Sequence, residues 1–525
     1  MAARHSIESS SIYGKKIFLL GTSNLGPVNT PIKAISASHI KSVFGEEGTL
    51  LEAYRTIKES DFDCEVFMVK ISGLHSELYL NINTPSGEII ERGFYLKAKH
   101  ASEIYDDIIV TIDSASIYIN YSTKALGEYV LEYKYQVEDD EGKPLYDNYG
   151  NPIYKTMYDL AEEINEDTRN LVSQVYCYAN CNSNVLCNSA LQGVNPRNNA
   201  FKGGNTGLYY NKNMLYNCLS DTYAILEGHD IDLILPLECY FDDTCTSNED
   251  DLNEFYNLDR EYLTLKNDGI YVSYYKQLLE FCKKQMRFGM ITHGIMGMNR
   301  LNSPFINQDD YYCYLNHFKI INENTASMDK YRQLVSVCVG DLYTTYGTRI
   351  SNSYIAYSAL VANISIAENT TNKPLPVSFT SYVDFDNRML NKIKDLGFTA
   401  FRYSILKKTV VVANGVTTSD DKNFKYLCNV RMCQLTMSRV RGVLNTFVGE
   451  SINELIKTKE IEHSVIELLN KLISQKIISG FGINSITNPN TGHILLDLSF
   501  KTAYMLENIR AYSGLTAVRY GELYE

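Results

Sequence analysis

The apolar positions of this 525-residue chain change their period along its length. Lys16–Leu20 (KIFLL) and Cys64–Ile71 (CEVFMVKI) are nearly continuous apolar runs, the pattern of strands buried on both faces. Between them Ile40–Phe44 and Leu50–Ile57 read as helices, which predicts a β–loop–α–β unit. From Ser76 to Tyr178 short alternating segments take over: Tyr79–Ile82, Gly93–Lys97, Asp107–Ile112, Ser116–Tyr121 and Tyr129–Tyr135. Turn signals at Pro85-Ser86-Gly87 and Asp139-Asp140-Glu141-Gly142 separate them, so a β-sandwich-like domain is expected. Within it, Gly142-Lys143-Pro144-Leu145-Tyr146 returns as Gly150-Asn151-Pro152-Ile153-Tyr154, a loop ornament and not a repeat architecture. Met157–Val172 closes the segment as a helix.

Asn182–Asn205, rich in Asn, Gly and Ser, reads as a linker. Helix and buried strand then alternate: helix Met214–Leu226, strand Ile231–Leu235, helix Tyr271–Gln285, strand Phe288–Ile291, strand Leu334–Val339 and helix Tyr354–Ala367. Helix Arg388–Leu396 and strands Phe398–Tyr403 and Lys408–Ala413 follow. This alternation predicts a mostly parallel sheet covered by helices. The best-marked helix is Leu427–Phe447, with Val430, Cys433, Met437, Val440, Leu444 and Phe447 on one stripe. Arg431, Arg439 and Arg441 fall off it and can face water, nucleic acid or another subunit, with Arg431 expected to be a structural hydrogen-bonding residue more than a nucleic-acid contact. A second amphipathic helix, Ile461–Ile478, turns Val465, Leu468, Leu469, Leu472 and Ile473 inward. Asn488–Gly492 is a turn before strand His493–Ser499, and Thr516–Tyr520 is a short extended piece.

Composition narrows the class. Hydrophobic residues make up 45% and charged residues 21%, as in soluble globular proteins. No apolar run reaches the length of about eighteen residues that spans a membrane. The polar N-terminus lacks a signal-peptide core, so synthesis in the cytoplasm is expected. A net charge of -13 disfavours general nucleic-acid binding, which needs concentrated Lys and Arg. The chain has 41 Tyr and no Trp; Tyr suits interfaces, and AT-rich coding would also enrich it. The 12 Cys are scattered, and Cys177, Cys181 and Cys187 alone cluster, without a C-x-x-C pair or a nearby His. Buried thiols, and no metal site, are expected.

The candidates for chemistry are weak. Gly21-Thr22-Ser23-Asn24-Leu25-Gly26-Pro27 follows a strand, yet it fits neither phosphate-loop pattern, and Pro27 and Pro31 prevent an immediate helix. Gly21-Thr22-Ser23 and His293-Gly294 look superficially like the Ser and His elements of subtilisin-type proteases, but their chain order is wrong for that family. Asp242-Asp243 and Glu249-Asp250-Asp251 read as solvated acidic loops. No catalytic residue, cofactor or metal is expected.

Five segments, in order, resemble contractile tail sheath proteins of bacteriophages and related injection machines. They are Gly21–Pro27 (GTSNLGP) with Pro31 and Phe44-Gly45; Lys202–Gly207 (KGGNTG); Asp230–Pro236 (DIDLILP); Ala400–Asn414 with Val416-Thr417-Thr418 and Asn429-Val430-Arg431; and Phe447–Glu450 (FVGE). Three departures are a missing acidic residue in Asn205–Gly207, Met432 in place of a second Arg, and Phe424 or Tyr426 where Trp is common. The resemblance implies a multidomain α/β and β protein: a non-catalytic α/β domain of subtilisin-like topology, an inserted β-sandwich-like domain and an α+β C-terminal domain. The expected boundaries are an arm 1–15, core 16–75, insertion 76–180, linker 181–205, α/β domain 206–415, C-terminal domain 416–510 and arm 511–525.

It also implies a structural role in the virion tail: rings, with sixfold symmetry expected, stack on a tail tube and contract from a metastable state. The implied partners are further copies of the chain, the tube protein, and baseplate and terminator proteins, without direct nucleic-acid contact or membrane insertion. The arms, with Ile7, Ile12, Tyr13, Thr516, Val518 and Tyr520, would add strands to neighbours. Lys457, Lys459, Lys471 and Lys476 are the expected tube contacts. The alternatives left open are a baseplate or capsid protein, the sheath of a phage-derived injection particle, and a hydrolase using Ser23 or His293.

Overall fold

A computed structural model describes residues 15–502, less 60–63, 124–126, 140–141, 168–176, 182–183, 193, 195–198, 209–211, 246–271, 289, 299–307, 325–328, 341, 345–348, 351–352, 376–378, 382–384, 449–458 and 489–492. In chain order its strands are β1 Lys16–Gly21, β2 Ile32–Lys33, β3 Glu65–Lys70, β4 His75–Asn83, β5 Ile89–Ala101, β6 Ile109–Ile112, β7 Ser116–Thr123, β8 Gly127–Lys134, β9 Cys177–Asn180, β10 Asn199–Ala200 and β11 Leu233–Pro236. There follow β12 Thr244–Cys245, β13 Val272–Ser273, β14 His293–Gly297, β15 Val335–Val339, β16 Leu342–Thr344, β17 Arg349–Ile350, β18 Phe379–Ser381, β19 Phe398–Ser404, β20 Thr409–Val412, β21 Ile478–Asn488 and β22 His493–Thr502. By contacts the chain divides into two compact units, residues 1–364 with 370–427, and residues 365–369 with 428–525.

The first unit is built on an eight-stranded sheet in the order β2-β3-β1-β11-β14-β15-β19-β20. The inner pairings are parallel, while β2 on β3 and β20 on β19 are antiparallel. Successive strand residues point to opposite faces. Accordingly Ile17 and Leu19 enter one core with the helices Ala37–Phe44, Thr49–Glu59 and Ser353–Asn363. Phe18 and Leu20 enter another, with the helices Lys212–Leu226, Tyr274–Arg287, Gln308–Asn324 and Asn387–Asp395. Helices thus cover both faces, which is why the inner strands read as unbroken apolar runs.

Several elements differ from the sequence expectation, among them the helix from Met157, which ends at Glu166. Phe288–Ile291 is not a strand: the helix runs to Arg287, Phe288 caps it, and the strand is His293–Gly297. Glycine hides that strand in the sequence. A Cβ on Gly294 would stand 2.7 Å from the Leu278 side chain, so the helix Tyr274–Arg287 packs directly on its backbone. The helix Gln308–Asn324, which buries Tyr311, Leu315 and Phe318, is not among the expected elements.

Between β3 and the helix Lys212–Leu226 lie two antiparallel sheets, β4-β5-β9 and β10-β6-β7-β8. They share one core, with Leu80, Phe94 and Leu96 from the first and Val110, Ile117 and Leu131 from the second. Cys187 and Leu191, in the stretch expected to be a linker, are folded into this core. The repeated GKPLY and GNPIY segments form a ring of three hydrogen bonds: Val137 N–H to Ile153 O (2.9 Å), Leu145 N–H to Val137 O (2.8 Å) and Ile153 N–H to Leu145 O (3.1 Å). In each copy an Asp side chain receives the N–H four residues on (Lys143 to Asp139, Asn151 to Asp147, both 2.8 Å), and Gly142 and Gly150 take positive φ.

In the second unit the helix Glu460–Ser474 and the C-terminal half of Leu427–Asn445 pack on the two-stranded hairpin β21–β22 around Val440, Val465, Leu469 and Leu472. The helix stops before the expected Ile478, because Lys476 adopts φ 60°. Ile477 N–H then reaches Leu472 O (3.0 Å) and Lys476 N–H reaches Ile473 O (2.9 Å), a Schellman stop that usually announces itself with Gly. Freed from the helix, Ile478 opens β21. The Leu427 helix does not show the simple stripe expected. Arg431, Met432, Gln434, Leu435 and Thr436 are buried off it, whereas Cys433, Met437, Leu444 and Phe447 are half-buried. A helix buried around most of its girth loses its amphipathic signature.

Candidate functional site

The loop after β1 is the most motif-like piece of the sequence. The Thr22 N–H donates to Thr49 Oγ1 (2.9 Å), Asn24 N–H to Glu47 O (3.2 Å) and Leu25 N–H to Phe44 O (3.1 Å). Its amides therefore hold the turn between the helices Ala37–Phe44 and Thr49–Glu59 and are not turned toward a phosphate. Gly48, at φ 106°, closes the clamp, since a Cβ there would stand 2.4 Å from Thr22 O.

Ser23 and His293 are not brought together. Ile17, Leu233 and His293 are level across three adjacent parallel strands, and Ser23 lies six residues beyond Ile17. The last residue of β1, Gly21, is already about 13 Å further along the sheet at the strand rise, and Ser23 follows it in the loop at that end. Ser23 Oγ is committed to Leu25 O at 2.6 Å. His293 has a different serine beside it, with Nε2 3.0 Å from Ser336 Oγ. Ser336 donates to Val416 O (2.9 Å), so it accepts from the imidazole. Both residues are fully buried. The pair braces β14 and β15 and offers no nucleophile to solvent.

The threonine-rich turn makes a polar latch beside it. Thr418 Oγ1 donates to Arg332 O (2.8 Å), Thr417 Oγ1 to Phe424 O (2.7 Å), and Thr399 Oγ1 to Val416 O (3.1 Å). Asn414 accepts the Ala400 N–H at 3.0 Å. These buried groups are all paired, as burial demands. Asp242 and Asp243 correct another expectation, because both are buried rather than solvated. Tyr314 donates to Asp242, and Asp243 accepts the Tyr240 N–H (3.2 Å). Glu249, Asp250 and Asp251 lie outside the described residues.

A seam joins the two small sheets to the large one. Lys202–Gly207 pairs back on β4 and the segment before it through Leu74–Asn205 and Glu77–Lys202. A Cβ on Gly204 would stand 2.3 Å from Ser102 O, and one on Gly207 2.4 Å from Gly73 N. Lys70, fully buried, donates to Ala101 O at 2.7 Å, and burial pulls its pKa down to about 7. His75 accompanies it. Burial lowers this imidazole to about 4, although Nδ1 sits 2.7 Å from Ala98 O.

In the second unit Lys459, Lys471 and Lys476 are exposed. Lys459 and Lys476 flank the helix Glu460–Ser474 at positive φ, so their backbones have structural duties whatever their side chains do. Lys457 and the arm residues Ile7, Ile12, Tyr13, Thr516, Val518 and Tyr520 lie outside the described residues. Arg431 is only 2% exposed, which fits a structural residue and not one that faces water. Among the described residues ten Cys are free thiols, no cluster of His, Cys, Asp or Glu could hold a metal, and no helix is long and apolar enough to cross a membrane. Burial pushes Cys187 and Cys433 up to about 12.

No family model matches the chain, and no curated protein is detectably similar to it in sequence. The solved sheath tail protein of Listeria innocua aligns with 93% of this chain and 92% of its own, at 11% identity and a TM-score of 0.51. The chain shares the fold of a sheath tail protein. A sheath tail protein of Desulfitobacterium hafniense aligns at 10% identity and TM-score 0.45, covering 93% and 96% of the two chains. A chain of the contracted anti-feeding prophage baseplate aligns at 12% and 0.47, covering 99% and 97%. The fold assignment stands on the Listeria innocua protein.

Within this sheath-tail fold, three of the five segments that carried the resemblance occupy structural joints: the loop after β1, the Lys202–Gly207 seam and the threonine latch. Asp230–Pro236 supplies the buried strand β11, and Gly449 and Glu450 lie outside the described residues. Sequence reading missed Lys70 and Ser336. Lys70 sits at the end of an apolar run and carried a signal, since a lone charge in a buried strand needs a partner.

Proposed function

We propose that this chain is the structural, non-enzymatic subunit of a contractile tail sheath. It stacks as rings, sixfold by expectation, around a tail tube and drives that tube forward by passing from a metastable extended state to a contracted one. The single observation that supports this most is the sheath-tail fold over 93% of the chain. The scattering of every candidate nucleophile and base into structural hydrogen bonds supports it as well. On this reading the parallel sheet is the subtilisin-like topology without its triad, and β4–β10 is the outward insertion. The baseplate and terminator proteins cap the tube's ends.

The mechanics need no cofactor. A head-to-tail interface closes into a ring or opens into a helix according to its rotation. Strands donated by residues 1–15 and 511–525 would add main-chain hydrogen bonds that survive rigid rotation of the subunits, since a flexible arm absorbs it. Lys457, Lys459, Lys471 and Lys476 would face the tube. The particle forms in the host cytoplasm and works as a tail. Concentrated protein should form hollow cylinders by electron microscopy, and removal of Met1–Lys15 should leave monomers or short rings. Full-length chains that never polymerise, or that close into shells, would overturn the proposal.

A further inference from the structure

Two exposed hairpin ends of the first unit carry complementary chemistry. The β19–β20 hairpin is held by four rungs, from Phe401–Val412 to Ser404–Thr409. It is latched from the side by Arg402 Nη2 donating to Asn372 Oδ1 (2.8 Å) and Lys407 Nζ to Asn372 O (2.6 Å). On this rigid stem Ile405 is 83% exposed and Leu406 97% exposed. Two adjacent apolar side chains held out on a firmly built turn are available for contact. The field around them is basic. Arg402, Lys407 and Lys408 surround the tip, and no acidic residue occurs between Asp395 and Asp420.

The β4–β5 hairpin is its opposite. Its turn is fixed by Thr84 N–H to Glu88 O (2.8 Å), Gly87 N–H to Thr84 O (2.9 Å) and Glu88 N–H to Thr84 Oγ1 (3.0 Å). Ile89 is 64% exposed beside exposed Ile90, with exposed Glu88 and Glu91 on either side. The neighbouring cation, Arg92, lies over the Tyr79 ring at 4.8 Å. Within one chain both apolar tips remain exposed, so neither satisfies the other there.

We propose that the basic tip Ile405-Leu406-Lys407-Lys408 of one copy docks on the acidic tip Glu88-Ile89-Ile90-Glu91 of a second copy. The occupant is argued from charge: the chain carries -13 overall, so its basic knob meets its best complement on another copy. Because the two patches differ, the contact is heterologous and propagates from copy to copy. This names a contact within the polymer proposed above and rests on that reading only for the form the polymer takes.

The test is a charge exchange on the full chain, read by sedimentation velocity and electron microscopy. Lys407→Glu with Lys408→Glu, and separately Glu88→Lys with Glu91→Lys, should each raise the concentration needed for self-association by about a hundredfold, because like charges then oppose. An equimolar mixture should co-assemble, since each variant presents the complement the other lacks. Leu406→Asp should associate as poorly as the reversals while keeping the unmodified circular dichroism spectrum. Either reversal associating like the unmodified chain overturns the proposal, as does a mixture no better than its components. An unmodified chain that stays monomeric at every concentration overturns it too. A chain that associates through this pairing but never into tubes upholds the contact and sinks the sheath reading.

Discussion

Strands β14 and β15 are hidden at every position between two helical layers, whereas β21 and β22 form a two-stranded hairpin covered on one face. The first arrangement is self-sufficient. A two-stranded hairpin is marginal alone and depends on what packs against it. Here Phe481, Ile483 and Leu498 supply one half-buried face, and four fully enclosed aliphatic side chains on two helices supply most of the remainder. One sheet is enclosed on both faces, and among the described residues the other is covered on one.

The strongest challenge to this contrast is a charge placed in each core. Val337→Asp buries an unpaired carboxylate mid-sheet and should cost more than about 4 kcal/mol, leaving no folded protein. Val440→Asp should erase hydrogen-exchange protection in the helix Glu460–Ser474 and in β21–β22 while β14 and β15 keep theirs. Loss of protection in both places would make the chain one cooperative body. Next in size, Gly48→Ala forces a Cβ onto Thr22 O at positive φ and should cost about 2–4 kcal/mol in denaturant unfolding. An unchanged midpoint would mean that the loop clamp can give way.

A pH series addresses the seam. The Lys70 ammonium is depressed to about 7 in the folded chain, against 10.5 for a free lysine. Above pH 7 the unfolded chain therefore holds a proton that the folded chain has released, and stability rises with pH up to that free value. The slope is at most about 1.4 kcal/mol per pH unit. Lys70→Met should flatten the rise between pH 7 and 9, and parallel curves for the two proteins would refute the assignment. Smallest of all, Lys471→Ala on the exposed helix face should leave stability within about 0.5 kcal/mol. A larger loss would mean that its side chain supports the fold.

The apolar strands and most helices could be read from sequence because burial on two faces writes itself as runs such as KIFLL and VSVCV. The exceptions share a physical cause. His293–Gly297 substitutes close backbone approach for side chains, Lys476 replaces the expected Gly at a helix stop, and the Leu427 helix is buried too widely to show one stripe. The site was less accessible. Ser23 and His293 are distant in sequence, and only the register of β1, β11 and β14 reveals that they sit far apart along the sheet. Ser336 carries no motif, and its role is visible only in the bond it gives to Val416.

The seam has an evolutionary corollary. The chain leaves the large sheet at Leu74 and returns at Asn205, and these two residues exchange both backbone hydrogen bonds at 2.9 Å. Everything between them enters and leaves at one bracket, steadied by Ala101, which gives its N–H to Gly26 O (3.1 Å) and takes the Lys70 ammonium, and its loss or replacement leaves two adjacent ends to be spliced. Residues 75–204 can therefore be exchanged as a block without altering the order of strands in the large sheet.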